Sequence, residues 1–91
     1  VTVIDSNIDD MSPELLPGLV SDLLAAGARD AFVTPVVAKK GRPGHMVTIL
    51  CDDTKVDELA ALLFRSSTTL GLRMRRERRI CRLAVYVWEV P

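Results

Sequence analysis

Aromatic side chains are scarce in this 91-residue chain, which has two Phe, one Tyr and one Trp. Its core must therefore be aliphatic. Base stacking on a sheet needs exposed aromatics on the central strands, and the chain offers Phe32 and little else, so no nucleic-acid partner is expected. No apolar run reaches the ~20 residues that span a bilayer, and no basic stretch leads into a short apolar one. Neither a membrane span nor a secretory signal is predicted. The two cysteines, Cys51 and Cys81, lie far apart and form no C-x-x-C pair, which argues against a zinc ribbon or a redox motif. They read as buried strand residues in a reducing cytoplasm. His45 is the single histidine, and nothing local marks a nucleophile beside it. Neither G-x-x-x-x-G-K-[ST] nor G-x-G-x-x-G occurs, so the common phosphate loops are excluded.

Hydrophobic residues make up 48% of the chain, which supports one domain over residues 1–91. A domain of this size is marginal alone, and association with more protein would help it. Net charge is zero but unevenly spread. Residues 1–38 carry six acids against Arg29, whereas residues 65–82 carry seven arginines against Glu77. That asymmetry fits an anion-binding surface, a self-complementary interface or a solvated arginine face.

Residues 2–8 are rich in β-branched side chains and read as a strand. Ser12 and Pro13 then suit a helix start, and apolar residues from Leu15 to Leu24 recur on one helical face. Pro17 is awkward inside that helix. Gly27 suits the left-handed residue that closes it. Residues 30–38 read as a second strand, placed at an edge or bulge by Pro35. Residues 39–44, KKGRPG, make a turn, and 45–51 a third strand antiparallel to the second. Asp53 or Thr54 caps a second helix through Leu63. Residues 72–90 are strand-like, but their alternation changes phase, which predicts a break near 75–79. The order β-α-β-β-α-β is the ferredoxin-like α+β pattern, with both helices on one face of an antiparallel sheet.

Three segments carry candidate chemistry. Asp9 and Asp10 sit in N-I-D-D-M-S-P-E at 7–14, where carboxylates suit a turn and helix cap or, alternatively, a hard cation such as Mg²⁺ or Mn²⁺. Lys39, Lys40 and Arg42 share a glycine-bearing loop that suits phosphate or simply a soluble hairpin. Thr68, Thr69 and Arg73 belong to S-S-T-T-L-G-L-R at 66–73, a hydroxyl-rich entry to a strand that suits phosphate oxygens or merely ends a helix. The residues alone leave each pair of readings open, and they identify no catalytic group.

Taken in order with A-A-G-A-R-D-A-F at 25–32 and T-P at 34–35, these segments resemble the LarC family of nickel insertion proteins over residues 4–82. The resemblance implies a piece from the C-terminal half of a pyridinium bisthiocarboxylic acid mononucleotide nickel chelatase, a lyase-class enzyme. Such enzymes use CTP with Mn²⁺ or Mg²⁺ to place nickel, the inserted metal, into the nickel-pincer cofactor of lactate racemase. On that reading Lys39, Lys40, Arg42 and Arg73 meet nucleotide phosphates, and Thr68 and Thr69 bond phosphate or ribose. Asp9 or Asp10 holds the divalent ion. The partners are the nucleotide, the pyridinium mononucleotide substrate and further copies of the chain. The piece by itself is expected to lack chelatase activity, and residues 83–91 match the family poorly. The competing expectation is a non-catalytic ferredoxin-like oligomerisation or regulatory module.

Overall fold

A computed structural model describes residues 1–8, 11–67, 69, 71–83 and 86–90, with side chains described as far as residue 78. Strand β1 (Thr2–Ile8) leads to helix α1 (Leu16–Ala25), then β2 (Asp30–Val37), β3 (Pro43–Cys51), α2 (Val56–Ser66) and β4 (Arg73–Arg76). These four strands form one antiparallel sheet in the order β2-β3-β1-β4. This is the expected ferredoxin-like α+β fold. β1 and β3 are central, and β2, with Pro35, lies at an edge, where a missing N–H breaks no ladder.

Alternation decides which strand residues meet the helices. Ile4 and Ile8 of β1 and Val47, Ile49 and Cys51 of β3 point to one side, where they pack on Leu16, Leu19, Leu23, Leu59 and Leu63. Each such aliphatic side chain contributes about 1.5–3 kcal/mol on full burial. The core is aliphatic, as the aromatic scarcity requires. Cys51 is a free thiol inside it, and burial followed by the charges of Asp52 and Asp53 pushes its pKa up. Cys81 lies outside the residues whose side chains are described.

Local details resolve the sequence conflicts. Pro13–Leu15 form a separate 3-10 turn, in which the Leu15 N–H donates to the Ser12 carbonyl at 3.0 Å. The α-helix proper starts only at Leu16, so Pro17 occupies its first turn, where no backbone donor is needed. Ser12 makes no side-chain cap bond, contrary to expectation. At the other end Gly27 has φ +111° and a Schellman pair closes the helix, Ala28 N–H to Leu23 O and Gly27 N–H to Leu24 O, both at 3.1 Å. A second 3-10 turn, Asp53–Lys55, precedes α2, and no side chain caps it either. The Asp53 carboxylate instead accepts from Thr2 Oγ1 at 2.6 Å and pairs with Arg76 at 3.1 Å.

The expected break after β4 falls at Glu77 and Arg78. Beyond it β5 (Arg79–Leu83) and β6 (Tyr86–Val90) pair with each other in a separate two-stranded sheet, instead of continuing one long strand. Among the described residues no helix is long and apolar enough to cross a membrane.

Candidate functional site

The end of β1 organises the site. Asn7 and Ile8 line a cavity of about 500 Å³ together with Lys39, Lys40, Arg42 and Val36. The β2–β3 pairing brings the cations there. It runs to Val36↔Gly44 and Val37↔Pro43, and the Ala38 N–H then closes the hairpin onto the Arg42 carbonyl at 2.6 Å. Lys39–Gly41 form a tight turn in which Lys40 is held at φ 61° and Gly41 at φ 72°. A lysine in the left-handed region is unfavourable by roughly 1–2 kcal/mol. The hairpin holds it there at the cavity wall, which is where strained backbone tends to be kept.

Arg73 arrives from the opposite edge. Its Nη2 donates to Asn7 Oδ1 at 3.1 Å and lies 3.8 Å from Met46 Sδ. Four cations thus approach the end of one strand. Among the described residues no carboxylate pairs with Lys39, Lys40, Arg42 or Arg73. A cavity with unpaired cations is an electrostatic invitation to an anion, and arginine can take phosphate in bidentate fashion.

The hydroxyl segment reaches the same strand by a different route. Thr69 is 8% exposed, and its Oγ1 shares a hydrogen bond with Ser6 Oγ and donates to the Gly71 carbonyl at 2.9 Å. The hydroxyl expected to meet phosphate is turned inward onto protein. Ser67 Oγ likewise donates to Leu63 O at 2.7 Å, ending α2. Asp9, Asp10 and Thr68 lie outside the described residues.

Two side chains that the sequence did not flag stand out. Ser6 is fully buried in the aliphatic row of β1. Asp5, on the other face, is 6% exposed and accepts from Thr48 Oγ1 at 2.8 Å and Arg75 Nη1 at 2.5 Å. Burial pushes the Asp5 carboxyl up, but the bonds from Arg75 and Thr48 and the charges of Arg75 and Arg73 outweigh it. Its pKa therefore falls below the ordinary carboxylate value. The Thr2 bond likewise lowers Asp53, with burial opposing and Arg76 assisting. In sequence these residues are ordinary members of a strand pattern, and only the strand pairing gives them partners.

A resident metal finds little here. Among the described residues no group of three or more His, Cys, Asp or Glu side chains could hold one. His45 sits apart, lining an apolar groove with Pro13, Leu16 and Phe32.

Comparison with known proteins gives a concordant picture. The family model described as nickel insertion protein matches residues 1–85. A pyridinium-3,5-bisthiocarboxylic acid mononucleotide nickel insertion protein of Thermotoga sp. (strain RQ2) is 47% identical over 72 residues, covering 79% of this chain and 18% of that protein. A putative nickel insertion protein of Myxococcus xanthus (strain DK1622) is 47% identical over 77 residues, covering 85% and 20% respectively. The chain thus spans about a fifth of the length of these curated relatives. Among solved structures, the apo C-terminal domain of a cyclometallase involved in synthesis of the NPN cofactor of lactate racemase superposes with TM-score 0.81 at 28% identity, covering 99% of this chain and 76% of that one. A protein of Methanopyrus kandleri AV19 shares the fold, with TM-score 0.73 at 20% identity over 97% of this chain and 59% of that one.

Proposed function

The chain belongs to the nickel insertion protein family, and from that premise we propose that it supplies the nucleotide-binding part of a CTP-dependent, cytoplasmic nickel insertion enzyme acting on the lactate racemase cofactor. The observation that carries this reading is the cavity at the end of β1, where Lys39, Lys40 and Arg42 line one wall and Arg73 is held beside Asn7. Its volume lies in the range of small-ligand sites, which is about 300–1,000 Å³.

The residues divide the work by chemistry. Arg42 and Arg73 clamp phosphate oxygens, and Lys39 and Lys40 act as point charges that neutralise the polyphosphate. Asp9 and Asp10 would hold Mn²⁺ or Mg²⁺ through their carboxylates. That ion, when bound, neutralises further phosphate charge. Thr68 serves phosphate or ribose, and Thr69 contributes through the shape of its segment. Nickel and the pyridinium mononucleotide are the substrates. Self-association belongs to the same reading, because β2 and the arginine-rich β4 are edge strands that need cover.

Calorimetric titration of CTP with Mn²⁺ into the chain tests this. The wild type is expected to bind, and Lys39→Ala and Arg42→Ala each to weaken binding by about tenfold or more, the usual worth of a charge-assisted bond. Nickel insertion is not expected from the chain alone. Absence of binding heat in the wild type would leave only a scaffold or oligomerisation module.

A further inference from the structure

β1 turns Ile4, Ser6 and Ile8 toward the helices, and all three are buried. A serine in that row is unfavourable unless its hydroxyl is bonded. Ser6 Oγ shares a bond with Thr69 Oγ1 and donates to Gly71 O at 3.2 Å, while Thr69 Oγ1 donates to the same carbonyl at 2.9 Å. Two hydroxyl protons face three contacts, so only two of the three bonds form at once, and every such arrangement keeps one to Gly71 O.

The position of this group along the sheet matters. The β1–β4 ladder runs from Thr2↔Arg76 to Asp5↔Arg73 and ends there. Ser6 is the next residue of β1, and its side chain continues the attachment where the backbone ladder stops. One residue further, Asn7 receives the Arg73 guanidinium. The strand therefore holds the entry to β4 twice in succession, once from each face.

We infer that Ser6 is a positioning residue for the anion cavity: its buried hydroxyl pins Thr69 and Gly71 to β1 and so fixes Arg73 against Asn7. This rests on the nucleotide reading above. Ser6 touches no ligand and acts through Thr69, Gly71 and Arg73.

The test has two arms and four variants. Ser6→Ala and Thr69→Val remove one hydroxyl each, Ser6→Thr keeps it, and Ile49→Val trims the core on β3 without touching either hydroxyl. Without nucleotide, amide hydrogen exchange is followed at Gly71 and Arg73. With nucleotide, the Kd for CTP and Mn²⁺ is measured. Ser6→Ala and Thr69→Val are expected to speed exchange and weaken binding by about tenfold each. Ser6→Thr should restore both to within about threefold of wild type, and Ile49→Val should lower the melting temperature while moving neither. The inference is overturned if Ser6→Ala matches wild type in exchange, or if Ile49→Val reproduces its losses. A wild-type chain that binds no nucleotide overturns the parent reading, and exchange then decides the pin by itself.

Discussion

The two ends of β1 handle charge in opposite ways. Toward its start, charges are paired: Asp5 meets Arg75 and Thr48, Asp53 meets Thr2 and Arg76, and Arg75 also reaches Glu77 at 2.7 Å. Toward its end, Lys39, Lys40 and Arg42 face a cavity with no carboxylate partner among the described residues. The same strand, in the same sheet, thus carries a closed ionic network at one end and an open one at the other. A closed network serves the fold. An open one raises the self-energy of the protein and lowers it only when an anion arrives. Among the described residues, the contrast sets the cavity apart without reference to any motif.

The sharpest way to break this contrast is to open the closed end. Arg75→Ala leaves the Asp5 carboxylate, at 6% exposure, with only Thr48 as a direct partner. Removing one member of a fully buried pair costs several kcal/mol. Arg75 is itself half exposed, with a side chain at 54%, so solvent screens the loss to well below that of a fully buried pair. Urea denaturation should show that loss while the Kd for CTP and Mn²⁺ stays at the wild-type value. A large loss of binding would show that the two ends are one site and would end the division.

Acid is a gentler probe of the same end. The folded pKa of Asp5 and Asp53 is depressed, so their contribution to stability is fully present above the unfolded carboxylate value of about 3.9. It is lost as pH falls through the folded values. Stability measured by thermal unfolding should be level above about pH 5 and decline below pH 4. Arg75→Ala should flatten that decline, because burial then opposes ionisation of Asp5 with less to offset it. An acid limb unchanged by Arg75→Ala would assign it to other carboxylates.

The sequence made parts of this legible and hid others for physical reasons. Strand and helix order follow from alternation and periodicity, and Gly27 and Pro35 each announced a backbone conformation that only a few residues suit. The 3-10 turns before both helices have no comparable signature, so Ser12 and Asp53 were expected to cap and do not. The pairing of β5 with β6 was hidden because Ala84 and Val85, which join them, carry none of the residues that mark a turn. The cationic hairpin was visible as composition. Ser6 and Asp5 were not, because a polar residue in a strand gains meaning only from what the register sets beside it.

Lys40 offers the finest test, since there the two ledgers of fold and function should move in opposite directions. Its φ of 61° is one that glycine adopts freely and lysine does not. Lys40→Gly relieves that strain but loosens the unfolded chain, so the net gain in stability is expected to be no more than about 1 kcal/mol. The same change removes one cation from the cavity wall. A lysine point charge beside solvent is worth less than an arginine clamp, so affinity for CTP and Mn²⁺ should fall only about threefold. A raised melting temperature together with weakened binding would mean that the strained lysine is kept for its charge. If stability and affinity both held level, or both rose, the turn would be an ordinary hairpin and Lys40 a bystander to the anion.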